Sequence, residues 1–435
     1  MKNKFFKSVV SVISSIVITS TMLIGCYNDK AEKSGQLSGN INVWSWNEEL
    51  LTSGIIDKFE EAYPNVKVNL ITIPNDNNAY STKLIATLRS GVNAPDVYLA
   101  ESANVKRLCN MDYYEDLSKG PYNAEKLTDQ MVPYTVKLGR NDNDNSIRAL
   151  TWQATPGGYF YRRSLAKKYL GTDDINEVQK MMTSMEDFIK LGEKIRDESN
   201  GEVSLLANYS ELLYVVLANR SEGWVKDGKL IIDPAMEEYL DLATEIRSKS
   251  LDINAKQWTP KWTESMSSGE VFGFMLPTWG LSNTLQANAP DTEGDWAFVK
   301  APSSYYWGGT WIGMYGDGKK KDISWEFIKF VTTNKDFLQQ YAKDSGDFVN
   351  NKAVQDTISN SEEGNNSFLN GQNVYKSYSS LVDSINGDII TEYDETFNNL
   401  WSDSVDLYMS GNISREDVIE NFKEKVKATY PKLEV

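Results

Sequence analysis

Residues 41–46 read Ile-Asn-Val-Trp-Ser-Trp, and this alternation of apolar and polar side chains predicts a β-strand. The following segment, 47–63, spaces its apolar residues as a helix does, and 66–73 alternates again as a second strand. Helical spacing returns in 79–89, and 95–101 predicts a third strand. The order strand, helix, strand, helix, strand predicts an α/β fold built on a parallel sheet.

Ligands of open parallel sheets bind beyond the carboxyl ends of the strands, so the side chains just past each strand are the first candidates for a site. Trp46 follows the first strand and is expected to contact the ligand. Glu48 either contacts the ligand or caps the next helix. Glu101 ends the third strand, and its carboxylate is a good acceptor for a ligand hydroxyl.

The rest of the chain mixes strand-like and helical segments. A strand-like stretch, 147–161, is interrupted by Pro156-Gly157-Gly158. Helical patterns are predicted at 164–196, 233–248 and 258–268, short strands at 271–275, 295–300 and 308–314, and mainly helices after that.

The N-terminus has the pattern of a secretory signal peptide, residues 1–25. Three lysines precede the apolar stretch from Val9 to Ile24, which ends at the small Gly25. A transmembrane anchor is the alternative, but this stretch is shorter than the roughly 20 residues that span a bilayer.

Leu23-Ile24-Gly25-Cys26 resembles a bacterial lipobox, whose cysteine is acylated and becomes the first mature residue. The resemblance implies that Cys26 holds the protein on a membrane through lipid. Residues 26–40 are polar and contain Gly and Ser, which predicts a flexible linker.

Composition excludes many functions. The chain of 435 residues has no histidine, so a Ser-His-Asp system and His-ligated zinc or haem are excluded, and no cofactor or metal is expected. The net charge of -16 disfavours nucleic-acid binding. Carboxylate catalysis and non-catalytic binding remain open.

Tryptophan is abundant and unevenly placed. Eight of the twelve tryptophans lie between residues 152 and 311. Aromatic rings can cover the apolar face of a sugar ring while their N–H or O–H groups meet its polar edge. This distribution favours a carbohydrate ligand.

Together these features resemble a family, the extracellular solute-binding proteins of family 1, which are sugar-binding lipoproteins of bacterial ABC importers. The resemblance covers about 41–428. It rests on the lipobox, the Trp-rich end of the first strand and three further segments: Ala94-Pro95-Asp96-Val97, Gly308-Gly309-Thr310-Trp311 and Ser324-Trp325-Glu326-Phe327-Ile328-Lys329-Phe330-Val331.

The resemblance implies a two-lobed α/β fold of the Venus-flytrap type, like maltose-binding periplasmic proteins, in which the chain crosses between lobes three times. Lobe 1 is expected to comprise 41–151 and 297–335, and lobe 2 to comprise 152–296 and 336–435. The crossings are expected near 151–154, 296–300 and 335–345. The ligand would lie in the cleft between the lobes.

Further site residues are expected near these crossings. Trp152 and Gln153 lie at the first crossing, where both lobes meet a ligand. Trp279 follows a predicted strand end, and the resemblance implies a ligand-stacking aromatic nearby. Tyr306, Trp307 and Trp311 flank a double glycine that permits close backbone approach.

Three further tryptophans are candidate ligand contacts, and for the last two core packing is an equal alternative. Trp224 follows Gly223 in a loop-like context. Trp258 and Trp262 are spaced i and i+4, which places them on one face of the predicted helix.

The sequence therefore predicts a monomeric, membrane-anchored, non-catalytic receptor that delivers an oligosaccharide to the permease subunits of an ABC transporter. One alternative is a surface-tethered glycosidase, whose two carboxylates would lie about 5–5.5 Å or about 6.5–9.5 Å apart. Another is a receptor for a non-sugar solute on the same fold.

Overall fold

A computed structural model describes residues 37–435. The predicted signal peptide, the predicted lipidation site Cys26 and the linker up to residue 36 lie outside the described residues. The last two residues of the predicted linker, Gly39 and Asn40, already belong to the first strand. Among the described helices, none is both long and apolar enough to cross a membrane.

The described residues form strands and helices in an alternating order. The strands are β1 (Gly39–Ser45), β2 (Val66–Thr72), β3 (Val97–Glu101), β4 (Leu150–Thr151), β5 (Pro156–Arg162), β6 (Val225–Lys226), β7 (Lys229–Leu230), β8 (Gly273–Pro277), β9 (Trp296–Val299), β10 (Tyr305–Tyr306), β11 (Thr310–Met314), β12 (Asn365–Asn366) and β13 (Gln372–Asn373).

The helices are α1 (Glu49–Thr52), α2 (Ile55–Ala62), α3 (Ala79–Ser90), α4 (Ser102–Asn110), α5 (Pro133–Leu138), α6 (Arg163–Leu170), α7 (Ile175–Lys180), α8 (Met185–Glu198), α9 (Leu213–Ala218), α10 (Pro234–Ser248), α11 (Pro260–Ser268), α12 (Thr278–Gly280), α13 (Lys321–Thr333), α14 (Lys335–Ser345), α15 (Lys352–Ser359), α16 (Val374–Ser379), α17 (Asp394–Met409) and α18 (Asp417–Thr429). A π-helical turn, Leu281–Gln286, extends α12.

The first sheet has the order β2-β1-β3-β11-β4 and defines lobe 1. Strands β2, β1 and β3 are parallel, as their alternation with helices predicts, while β11 pairs antiparallel with both β3 and β4. The apolar positions of β1, Ile41 and Val43, are fully buried. The predicted α/β fold is confirmed.

The second sheet defines lobe 2. It has the order β10-β5-β8, and β9 also pairs with β5. The predicted interruption at Pro156-Gly157-Gly158 is wrong, because these residues are the start of β5. A Cβ on Gly157 would lie 2.1 Å from the ring of Tyr305, and one on Gly158 would lie 2.2 Å from that of Phe298. The glycines therefore allow neighbouring rings to pack against the strand.

Three chain segments connect the two sheets and lie side by side. The first joins β4 to β5, and the third follows α14. The amide of Ala154 donates to the Phe348 carbonyl at 2.9 Å, and that of Asn350 donates to the Trp152 carbonyl at 2.7 Å. These two segments therefore form one hydrogen-bonded hinge.

The second connection is 307–309, between β10 and β11. The sequence-based position near 296–300 is wrong because β9 pairs with β5 in the second sheet, and the lobe boundary moves accordingly. The amide of Trp307 donates to the Thr155 carbonyl at 3.2 Å, so this connection also joins the hinge. The predicted third segment, 335–345, is helix α14, whose Phe337 packs on Phe330 of α13.

Candidate functional site

A cleft lies between the two lobes beside the hinge. Its central cavity has a volume of about 460 Å³. Both lobes and the connections supply its lining: Trp46, Asn47, Glu49, Glu101, Gln153, Tyr214, Trp258, Trp279, Asn283, Thr284, Trp307, Gly308, Gly309 and Thr310.

A second cavity of about 570 Å³ continues the first. The two share Asn47, Glu49, Trp279 and Asn283. The remaining lining of the second cavity is Glu48, Thr52, Ser53, Ser282, Tyr341, Asp344, Ser345 and Asp347. An elongated ligand could therefore lie across Trp279 and occupy both cavities.

Aromatic side chains of lobe 2 and the second connection form one wall of the cleft. The ring centroids of Trp258 and Trp279 are 6.1 Å apart with nearly parallel planes, and Trp307 meets Trp279 edge-on at 5.2 Å. Tyr214 stacks on Trp307 at 4.5 Å. We name these four residues the aromatic wall. The four rings line the cleft together, with Trp258 the most exposed of them, and they can pack on the apolar face of a sugar ring.

Trp258 is the exposed member of this wall. It is 62% exposed, and its φ is 68°. A bulky residue in the left-handed region costs free energy, and such strain persists where the surrounding structure holds a functional side chain in place. An exposed, strained tryptophan in a cleft is therefore a strong candidate for a ligand contact.

Trp279 is held rigidly behind Trp258. It lies two residues past β8, in α12, and its Nε1 donates a hydrogen bond to the Trp307 carbonyl at 3.0 Å. A Cβ on Gly308 would lie 2.8 Å from this Nε1, and the φ of Gly308 is +74°. Glycine is therefore required for this close approach.

Lobe 1 presents side chains from the carboxyl ends of its strands, as the sequence predicts. Trp46 follows β1 and packs edge-on against Tyr80 at 5.8 Å. Glu101 ends β3 and also caps α4, since its carboxylate accepts hydrogen bonds from the Ala103 amide and the Ser102 hydroxyl, both at 2.7 Å. Burial raises the pKa of Glu101.

The carboxylate of Glu49 lines the cleft and is hydrogen-bonded to side chains near two of the connections between the lobes. The Glu49 carboxylate accepts hydrogen bonds from Gln153 Nε2 at 3.4 Å and from the Tyr341 hydroxyl at 3.3 Å. The Tyr341 hydroxyl also lies 3.2 Å from Asp347 Oδ2. Burial, with the neighbouring charge of Asp347, raises the pKa of Glu49 to about 7, and burial raises that of Asp347 to about 6.

Two predicted site residues lie elsewhere in the cleft region. Glu48 lines the mouth of the second cavity and precedes α1 without a side-chain capping bond. Tyr306 lies behind the aromatic wall, where its ring packs on Tyr134 of lobe 1 at 4.9 Å.

Trp152 and Trp311 are buried near the cleft and do not line it; this corrects their prediction as ligand contacts. Trp311 lies on β11, which pairs on both edges, and its Nε1 donates to the Thr135 carbonyl at 2.9 Å. Trp152 lies in the hinge and is also fully buried.

Trp224 is buried in the hydrophobic core. Its ring packs against Trp401 and Phe422, and its Nε1 donates to Asn398 Oδ1 at 2.7 Å. The prediction of Trp224 as a ligand contact is wrong, because its ring is fully buried against these side chains.

The pair Trp258 and Trp262 divides between the two alternatives. Helix α11 begins at Pro260, so Trp258 precedes the helix and does not share its face. Trp262 is fully buried and supports Trp258 from behind, with ring centroids 5.1 Å apart. Helical spacing predicted one role for both, and the left-handed residue before the helix separates them.

Sequence reasoning missed several lining residues: Glu49, Tyr214, Asn283, Thr284, Tyr341, Asp344 and Asp347. Glu49 was within reach, since it adjoins Glu48 at the end of β1. Tyr341 lies within the expected third crossing, 335–345, but helical spacing alone does not show which of its side chains faces the cleft; Asp347 lies two residues past that range. Among the described residues, no group of three or more acidic or cysteine side chains is arranged to hold a metal ion.

Comparison with known proteins agrees with this architecture. The family model described as bacterial extracellular solute-binding protein matches residues 54–366. The chain therefore belongs to the bacterial extracellular solute-binding proteins.

Solved structures show the same fold at low sequence identity. A crystal structure of an extracellular solute-binding protein of family 1 is 17% identical, with a TM-score of 0.77, covering 89% of this chain and 99% of that one. The galacto-N-biose/lacto-N-biose I-binding protein of an ABC transporter from Bifidobacterium longum, in complex with lacto-N-biose, is 16% identical, with a TM-score of 0.72 and coverage of 92% and 99%.

An ABC substrate-binding protein from Listeria monocytogenes, in complex with cycloalternan, is 15% identical, with a TM-score of 0.69, covering 91% of this chain and all of that one, 100%. The predicted two-lobed α/β fold is confirmed by these matches.

Proposed function

We propose that this protein is the substrate-binding subunit of an ABC importer and that it captures an oligosaccharide between its lobes. The observation that carries the proposal is the aromatic wall facing the carboxylates Glu49 and Glu101 across one cleft. Stacked rings cover the apolar faces of sugar units, and carboxylates accept hydrogen bonds from their hydroxyls.

The ligands of structural neighbours support the sugar class. Those neighbours were solved with lacto-N-biose and with cycloalternan. Two joined cavities, of about 460 and about 570 Å³, suit a ligand of more than one ring.

Closure of the lobes couples binding to transport. A ligand that touches Trp46 on lobe 1 and Trp258 on lobe 2 binds the closed form more tightly than the open form. It shifts the population toward closure by that difference in affinity and by no more. The closed form then presents both lobes to the permease subunits in one relative orientation.

We further propose that the mature chain begins at an acylated Cys26, that it is monomeric, and that it releases the sugar unchanged. The lipobox-like Leu23-Ile24-Gly25-Cys26 supports the anchor. Detergent partitioning of the full chain and of its Cys26→Ser variant tests it: the wild type should enter the detergent phase and the variant should remain in the aqueous phase. Equal partitioning would contradict the anchor.

The substrate class is tested by thermal unfolding of residues 27–435 against oligosaccharides that differ in linkage and length. A ligand that binds only the folded state raises the unfolding temperature, by a free energy of about 2.7 kcal/mol at 100 times its Kd. We expect stabilisation by one or a few related oligosaccharides. Stabilisation by peptides alone, or release of reducing sugar from a bound glycan, would contradict the proposal.

A further inference from the structure

The lining of the cleft has a one-sided charge. Among the described residues that line the two cavities, five are acidic and none is Lys or Arg. The acidic residues are Glu48, Glu49, Glu101, Asp344 and Asp347. The whole chain carries a net charge of -16, so its long-range field has the same sign.

Glu49 is the acidic residue placed to sense the charge of a ligand. It lines both cavities, and the hydrogen-bond partners of its carboxylate, Asn47, Gln153 and Tyr341, are all uncharged. Asp347, across Tyr341, is only 6% exposed. Neither carboxylate of this pair has a cation beside it that could also neutralise an anionic ligand.

We propose that the cleft selects oligosaccharides without negative charge, and that Glu49 is the main residue that excludes acidic sugars. This inference rests on the proposed function and narrows its substrate class. An anionic group in either cavity would approach the partly buried Glu49 carboxylate, where like charges repel more strongly than in bulk solvent. Neutral hydroxyls meet the same carboxylate as hydrogen-bond donors.

The pH dependence of this selection follows from the groups around Glu49. Asp347 and Tyr341 face it from the α14 side, Gln153 from the first connection, and Asn47 from its own segment, while Glu48 and Asp344 line the same cavity. As the pH falls from 7.5 to 5.5, the Glu49–Asp347 pair takes up protons, since both pKa values are raised. A ligand carboxylate with an ordinary pKa of about 4 stays charged, so its repulsion should weaken.

Calorimetric titration of residues 27–435 with two matched ligands tests the inference. One is the neutral oligosaccharide that stabilises the protein most, and the other is the same sugar with its C6 hydroxymethyl groups oxidised to carboxylates. We expect the oxidised form to bind at least about 100-fold more weakly at pH 7.5. At pH 5.5 the two affinities should lie closer together.

Substitutions assign the effect to Glu49. Glu49→Gln should reduce the ratio of the two ligand affinities at pH 7.5 by about 10-fold and remove most of the pH dependence of that ratio. Glu186→Gln is the matched control, because Glu186 lies on the outer helix α8 with its side chain 78% exposed. Thermal unfolding monitors folding, and Glu101→Gln provides a second cleft variant if Glu49→Gln does not fold.

Each outcome bears on a different claim. Equal affinity of wild type for both ligands at pH 7.5 would overturn the inference and leave the proposed function standing. If both Glu49→Gln and Glu101→Gln kept the wild-type ratio of affinities for the neutral and the oxidised sugar, the proposed role of these carboxylates would be overturned. Failure of every sugar to bind would overturn the proposed function, and this inference with it.

Discussion

At the scale of single residues, position relative to a strand end was more informative than residue type. Trp46 and Glu101 were predicted in the cleft because Trp46 follows β1 and Glu101 ends β3, and both line it. Trp224 and Trp311 were nominated for the glycines beside them, and both are fully buried. A sequence shows that a tryptophan is present, but three-dimensional packing determines which of its faces stays open.

The strain at Trp258 gives the first prediction. Asn tolerates the left-handed region that Trp258 occupies at φ 68°, so Trp258→Asn should leave the unfolding free energy unchanged or raise it by up to about 1 kcal/mol. Because it removes the exposed ring of the aromatic wall, affinity for the oligosaccharide should fall at least about 10-fold. Denaturant unfolding and calorimetry measure the two effects.

The buried neighbour Trp262 is the control for that prediction. Trp262→Ala removes a fully buried ring and should lower the unfolding free energy by about 3–5 kcal/mol. If Trp258→Asn destabilised the fold as strongly as Trp262→Ala, Trp258 would be a core residue and its assignment to the ligand would fail.

Glu49 gives a second prediction at this scale. Its pKa is raised from 4.5 to about 7 by folding, so the folded state holds a proton that the unfolded state has lost between these values. Stability from this group is therefore present at low pH and is lost as the pH rises toward 7 and above. Between pH 5 and 8, the unfolding free energy measured in urea should fall less for Glu49→Gln than for wild type.

Glu186→Gln controls for the general effect of removing one negative charge, since its side chain is 78% exposed. If the unfolding free energy fell equally between pH 5 and 8 in wild type, Glu49→Gln and Glu186→Gln, Glu49 would not take up a proton on folding.

At the scale of elements, the alternation of strands and helices in 41–101 was predicted well because one face of each element is buried in a regular pattern. The start of β5 was not predicted, because a Pro-Gly-Gly sequence is typical of a turn and the side chains that pack on these glycines come from distant strands. Phe298 lies on β9, far along the chain, and its ring occupies the space above Gly158. Local pattern cannot show such a contact between distant strands.

This contact gives an element-scale prediction. Gly158→Ala should overpack β5 against the ring of Phe298 and lower the unfolding free energy by about 1–3 kcal/mol. Gly316→Ala is the control, because the nearest atom to its added Cβ is the Tyr113 carbonyl oxygen at 3.4 Å, an ordinary contact. Equal stability of the two variants would show that β5 has room for a side chain.

At the scale of the whole molecule, the two-lobed fold was predicted from resemblance and confirmed, whereas the second connection was placed too early. Strand β9 has no feature in its own sequence that assigns it to one sheet; its pairing with β5 does. The hinge shows the same limit. Residues 151–154 and 346–351 are almost 200 positions apart, and they meet through backbone hydrogen bonds that any sequence can make.

The same hinge links the cleft to the movement of the lobes. Gln153 and Tyr341, one near each of two connections, both donate hydrogen bonds to Glu49 of lobe 1. A ligand that contacts Glu49 therefore acts on the segments about which the lobes turn.

The central claim is that an oligosaccharide binds intact between the lobes against the aromatic wall. Its most direct test is calorimetric titration of residues 27–435 with the oligosaccharide that stabilises the protein most, for wild type and for Trp258→Asn, with recovery of the sugar afterwards. We expect one ligand per chain, an affinity at least about 10-fold lower in the variant, and unchanged sugar. Equal affinity in the two proteins, or a cleaved product, would contradict the account.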